Sequence, residues 1–208
     1  MVSRPLRPRR PSHRRISLSV SLARGQSVSL TTGDGSSMTH VRIALGWDAV
    51  RQGLFGGFRG ADVDLDASAI LYDAAGGHLD QAWFRQLKSR NGSVVHSGDN
   101  RTGAGDGDNE SIIVHLDRVP AEVAQIVFTI NSFTGQSFAQ IQNAFCRLVD
   151  EKTHTEIARF DLSQTGPHTA EIMAKVSRYD GGWMMTALGE IGNGRTFQDL
   201  LPSIAPTL

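Results

Sequence analysis

The sequence predicts an all-β fold, a β-sandwich of two antiparallel sheets with a few short helical turns. Two observations predict it. From Ile16 onward apolar residues recur in short period-two runs, and Gly, Asp and Asn punctuate those runs at modest intervals. Many short strands separated by turn residues are the pattern of sandwiches and barrels. In chain order, Ile16, Leu18, Val20 and Leu22 alternate with serines, and Val28 and Leu30 follow the turn-like Ala23-Arg24-Gly25-Gln26. Further strand runs are expected at residues 41–45, 63–71, 112–116, 126–130, 145–149, 156–162, 172–179 and 183–188. Residues 120–124 and 138–143 are each expected to form one helical turn, and 197–201 a short terminal helical piece. Residues 53–60, with four glycines among eight residues, read as a flexible loop inside the domain.

Composition narrows the class. A chain of 208 residues with 39% hydrophobic content can bury a real core, which excludes wholesale disorder. No window of roughly 18 apolar residues free of charge exists, which excludes a transmembrane helix. A single cysteine, Cys146, excludes a disulfide framework within the chain and a cysteine-based zinc ribbon. The net charge of zero conceals two opposing parts. Arg4, Arg7, Arg9, Arg10, Arg14 and Arg15 stand in residues 1–15 without an acid, and removing them leaves 15 bases against 21 acids, a net −6. Pro5, Pro8 and Pro11 oppose a helix there, so 1–15 is expected to be a disordered basic arm, a solvated tail or a consequence of start-codon choice; contact with nucleic acid or anionic membrane is the other reading, and the rest of the chain carries no strong nucleic-acid signal. It lacks the apolar segment of a secretory signal. Residues 16–208 are expected to form one domain.

Two acidic segments carry the chemistry. In Ala61-Asp62-Val63-Asp64-Leu65-Asp66-Ala67-Ser68-Ala69-Ile70-Leu71, an extended chain turns Val63, Leu65, Ala67, Ala69 and Leu71 to the core and stacks Asp62, Asp64, Asp66 and Ser68 on the other side. Strands disfavour aspartate, so this choice needs a compensating role. An EF-hand loop is a poor fit, because its sixth position calls for glycine and here holds Ala67. The second segment, residues 97–110, offers the carboxylates of Asp99, Asp106, Asp108 and Glu110, the amides of Asn100 and Asn109, and glycines that let carbonyls turn inward. Hard cations such as Ca²⁺ take six to eight such oxygens, and the loop lacks the thiolates or paired imidazoles that zinc and copper favour. Bare phosphate would be repelled by the acids. Like charges about 4 Å apart cost roughly 4 kcal/mol at an effective dielectric near 20, so if the two segments meet, a divalent ion or two would turn their repulsion into binding; the other reading is two unrelated, solvated acidic turns.

At these residues the sequence resembles the TerD family, the tellurite-resistance and stress-response proteins. The resemblance is carried by Leu45-Gly46-Trp47-Asp48, by 61–69, by His96-Ser97-Gly98-Asp99-Asn100-Arg101-Thr102-Gly103, by Gly105-Asp106-Gly107-Asp108-Asn109-Glu110, by Gly135-Gln136-Ser137-Phe138 and by Asn143-Ala144-Phe145. It covers roughly residues 16–192. It implies a calcium-binding β-sandwich whose ligands fall on Asp62, Asp64, Asp66, Asp99, Asn100, Asp106, Asp108 and Glu110, with backbone carbonyls from Thr102 and Gly105. Asn109 stands where the family commonly has Asp, which removes a negative charge from the site.

The expected function is a non-catalytic, cytoplasmic stress-response protein that binds one or two Ca²⁺, with another protein of such a system as partner. Two alternatives stay open: metal-assisted phosphoester or nucleotide chemistry with His96 as base, and calcium-dependent attachment to anionic membrane. His96 reads as a strand-end histidine bonded to backbone, Cys146 as a small buried hydrophobe, and Trp47, Trp83 and Trp183 as core or sheet-face aromatics rather than base-stacking platforms. No Gly-x-Ser-x-Gly elbow, Walker sequence or His-Glu-x-x-His pattern is present.

Overall fold

A computed structural model describes residues 20–48, 63–100, 107–162 and 166–208. The basic arm, residues 53–60, Asp62, Thr102, Gly105 and Asp106 lie outside them. Within the described residues the chain forms β1 (Val20–Ser21), β2 (Ser27–Ser29), β3 (His40–Asp48), β4 (Leu65–Tyr72), β5 (His78–Ala82) and β6 (Val94–His96). It continues through β7 (Glu110–His115), β8 (Gln125–Ser132), β9 (Gln142–Asp150), β10 (Thr155–Asp161), β11 (Ala170–Tyr179) and β12 (Gly182–Gly192), and ends in helix α1 (Phe197–Ile204). The strands make two six-stranded sheets, ordered β1-β10-β9-β3-β7-β6 and β2-β12-β11-β8-β4-β5. This is the predicted sandwich. One pairing departs from the antiparallel expectation: β1 runs parallel to β10, with Val20 opposite Ala158.

Period-two alternation builds the core. Leu65, Ala67, Ala69 and Leu71 of β4 meet Val41, Ile43 and Leu45 of β3, Ile112 and Val114 of β7, and Phe128 and Ile130 of β8 between the sheets. The opposite face of the second sheet is covered as well. Ile70, Tyr72, Val127 and Ile172 pack against Phe197, Leu200 and Ile204, which recur at helical spacing on α1. Every residue of β4 is therefore buried. At the start of α1, Asp199 Oδ2 accepts the backbone N–H groups of Arg195 (2.8 Å) and Thr196 (3.1 Å), which satisfies donors that the first turn leaves free.

Several expectations need correction. Residues 120–124 form a hydrogen-bonded turn, Val123 N–H to Pro120 O at 3.0 Å, and not a helix. The turn expected over 138–143 is a 3₁₀ segment limited to Phe138–Gln140, because β9 begins at Gln142. The terminal helix extends past residue 201 to Ile204, whose side chain is buried. Strands β5 and β6 were not expected. In β5 one of the two buried residues is polar, Asp80, which accepts from Arg90 N–H (2.7 Å) and Gln86 Nε2 (3.0 Å), and β6 is three residues long. No helix among the described residues is long and apolar enough to cross a membrane.

Candidate metal centre

The entry to β4, β4 itself and the loop between β6 and β7 bring three carboxylates together. One oxygen from each of Asp64, Asp66 and Asp99 lies within 4.8 Å of the others. Asp64 and Asp66 are buried, at 8% and 3% exposure, while Asp99 faces solvent. The β4 alternation places Asp66 on the face away from the intersheet core, in register with the fully buried Asn131 of β8. Asn131 Nδ2 in turn donates to Gly194 O at 3.3 Å. Three carboxylates at this spacing repel by roughly 3 to 4 kcal/mol per pair at an effective dielectric near 20. The donor set is all oxygen, which fits a hard divalent cation and gives a thiophilic metal nothing to hold.

Glu110 holds the two halves of this cluster in place. Its carboxylate is buried at the start of β7, where Oε2 accepts the N–H of Ala67 and Oε1 that of Asn100, each at 3.0 Å. Ala67 follows Asp66 and Asn100 follows Asp99, so one side chain staples the neighbours of two candidate ligands. Ala67 lies where β4 extends beyond its partner β5, whose pairing begins at Ala69. Its backbone groups on that edge therefore need partners from elsewhere. His96 supplies the second, with Nε2 3.1 Å from Ala67 O and Nδ1 accepting Gly98 N–H at 3.0 Å. This arrangement assigns the proton to Nε2 and agrees with a histidine bonded to backbone.

Asp108 is engaged elsewhere. It pairs with Arg42 of β3 and with Arg147 of β9, whose Nε and Nη2 reach its two oxygens at 2.7 and 3.0 Å. These arginines continue to Glu151 and Glu156, a charged lattice across β3, β9 and β10. Asp108 and Glu110 thus stand outside the group of three. Asn109 also serves the scaffold: its Oδ1 accepts Trp47 N–H (2.9 Å) and its N–H donates to Leu45 O (2.8 Å). Gly46 explains a further part of the motif, since a Cβ there would stand 2.4 Å from the Phe145 ring and 2.7 Å from Gly107 O. The loop's stem crosses β3 at a point with no room for a side chain.

Of the ten expected ligands, then, the structure brings together Asp64, Asp66 and Asp99, with Asn100 beside them on the loop. Asp108 pairs with the side chains of Arg42 and Arg147, Glu110 anchors the backbone of Ala67 and Asn100, and Asp62, Thr102, Gly105 and Asp106 lie outside the described residues. Sequence reasoning missed the anchoring role of Arg42 and Arg147, because alternating Arg and apolar residues on strands also describe an ordinary solvated face.

The TerD domain model matches residues 18–203, a span that contains the sandwich and the whole carboxylate cluster. The chain is 48% identical over 184 residues to tellurium resistance protein TerZ of Serratia marcescens, covering 87% of this chain and 94% of that protein. It is 42% identical over 181 residues to general stress protein 16U of Bacillus subtilis (strain 168), covering 83% and 90%. Its fold is similar to the crystal structure of a homologue of telluride resistance protein (TerD) from Streptomyces coelicolor A3(2), with a TM-score of 0.67 at 19% identity over 81% of this chain and 98% of that one. Matched along nearly the whole sandwich by the family model and by relatives of this identity, the chain belongs to the TerD family.

Proposed function

We propose that this protein is a non-catalytic calcium-binding member of a cytoplasmic stress-response system, in which one or two Ca²⁺ ions order the β6–β7 loop against β4. The observation that carries the reading is the convergence of Asp64, Asp66 and Asp99. Asp66 is held on β4 and Asp64 stands just before it, while Asp99 sits on a loop that Glu110 ties to β4 through the N–H groups of Ala67 and Asn100. An ion at the cluster would offset the mutual repulsion and fix the loop as part of a surface for a protein partner. Asn100, Asp62, Asp106 and the carbonyls of Thr102 and Gly105 would complete the oxygen shell that Ca²⁺ requires. The names of relatives, a tellurium resistance protein and a general stress protein, support the physiological setting.

Catalysis is disfavoured by the state of His96. Both of its ring nitrogens are bonded to backbone groups, which leaves none to carry a proton for a substrate.

The test is a thermal melt with calorimetric titration. Binding to the folded state alone stabilises it by about 2.7 kcal/mol at a hundredfold excess over the dissociation constant. The melting temperature should rise in Ca²⁺ relative to EGTA, and Asp66→Asn should abolish the rise. An unchanged melt together with no heat of binding would remove the reading.

A further inference from the structure

At the opposite edge of the sandwich, a cavity of about 210 Å³ opens between β10 of one sheet and β11 and β12 of the other. Leu22, Phe160, Met173 and Ala187 form its apolar wall, of which Met173 belongs to the intersheet core and Leu22 and Phe160 pack against it. One lining residue is out of character. Glu171 is 4% exposed, and its Oε2 accepts no hydrogen bond from any described residue.

The backbone shows how a carboxylate comes to lie there. Pairing of β11 with both β8 and β12 shifts register between Ile172 and Ala174. The bulge at Met173 reverses the alternation, because an extra residue exchanges the two faces of everything on one side of it. Ala174 and Val176 face the intersheet core, whereas Ile172 and Ala170 turn outward beneath α1. Glu171 is thereby turned inward. On β12, Gly189 adopts a φ of +60°, and a Cβ there would meet Glu171 Oε1 at 3.9 Å and the Arg24 side chain at 3.8 Å. A glycine at this position keeps space open beside the carboxyl group.

The surrounding charges select the occupant. Arg24, at the rim, is paired with Glu190, and Asp161 adds a further acid. His168 Nε2 stands 3.8 Å from Glu171 Oε2, and burial lowers the basicity of that imidazole. Burial likewise raises Glu171, to about 7, so the carboxyl lacks the compensation that would keep it ionised. Anions meet Glu171 and Asp161, and a purely apolar guest leaves the carboxyl oxygen unsatisfied.

We infer that this cavity is a binding site for a small cationic amphiphile, a primary alkylammonium whose chain lies along Leu22, Phe160 and Met173 and whose head group pairs with Glu171. The site lies apart from the carboxylate cluster and is independent of calcium.

The test uses the full chain in EDTA, titrated with hexylammonium and, in parallel, with hexanol and hexanoate. Shifts of the Met173 and Ala187 methyl resonances read occupancy. Hexylammonium should move both methyls, and Glu171→Gln should weaken it at least roughly tenfold through loss of a charge-assisted hydrogen bond while leaving hexanol unchanged. In the unaltered protein, the Glu171 carboxyl ¹³C titration should move to lower pH on saturation with hexylammonium. Equal binding of hexanoate, retained affinity in the Glu171→Gln variant, an unmoved carboxyl titration, or no methyl shift would each overturn the assignment.

Discussion

Glu110 and Asp99 are both acidic residues of one loop, yet they do different work. Asp99 contributes an oxygen to the three-carboxylate cluster, while Glu110 spends both oxygens on the N–H groups of Ala67 and Asn100. Replacing Glu110 with Gln turns one acceptor into a donor that faces an N–H. The expected cost is about 1 to 3 kcal/mol of stability, together with weaker calcium binding, measured by denaturant unfolding and calorimetry. An isolated aspartate-to-asparagine change at Asp99 should weaken the proposed calcium binding, measured by calorimetry. Cys146 gives a contrasting case. It is fully buried, and burial pushes its thiol well above the usual range, so native protein should resist a thiol reagent that labels the unfolded chain at once. Residue identity alone made the acidic segments legible. It could not say which carboxylate joins the cluster and which faces backbone, because that depends on an edge of β4 left open by its shorter neighbour.

Among the elements, the long alternating strands were legible in sequence, β4 above all, where Leu65, Ala67, Ala69 and Leu71 read as one face. Strands with a polar buried residue or very short length were not, as β5 and β6 show. Glu171 was hidden for a third reason. The bulge in β11 breaks the period on which the reading rests, so a carboxylate that alternation would place outside lies within. The terminal helix has a measurable role at this scale. Leu200 is buried against Ile70, Tyr72 and Ile172, and Leu200→Ala should destabilise the domain by about 2 to 5 kcal/mol in denaturant unfolding. Gly46→Ala acts on the opposite sheet. Its methyl would press on Phe145 and on the Gly107 carbonyl, displacing the stem of the β6–β7 loop, so the proposed calcium binding should fall along with the melting temperature.

For the whole molecule, two acidic regions at opposite edges of one sandwich are expected to give stability two separate dependences. The first is on pH. Folded Glu171 keeps its proton up to about 7, whereas an unfolded glutamate releases it at the lower, ordinary value. Between these values the unfolded chain binds fewer protons, so this residue's contribution to stability falls as pH rises. Relative to Glu171→Gln, the native protein should lose about 3 kcal/mol across that interval, with His168, Asp161, Arg24 and Cys146 common to both proteins. The second, on calcium, follows from the proposed function. The direct measurement is a calcium titration of the full chain followed by backbone amide resonances. The amides of Asp64, Asp66, Ala67, Asp99 and Asn100 should shift together, with one set of midpoints, and return on addition of EGTA. Shifts confined to one segment, different midpoints for β4 and the loop, or no response at these residues would contradict a shared calcium centre.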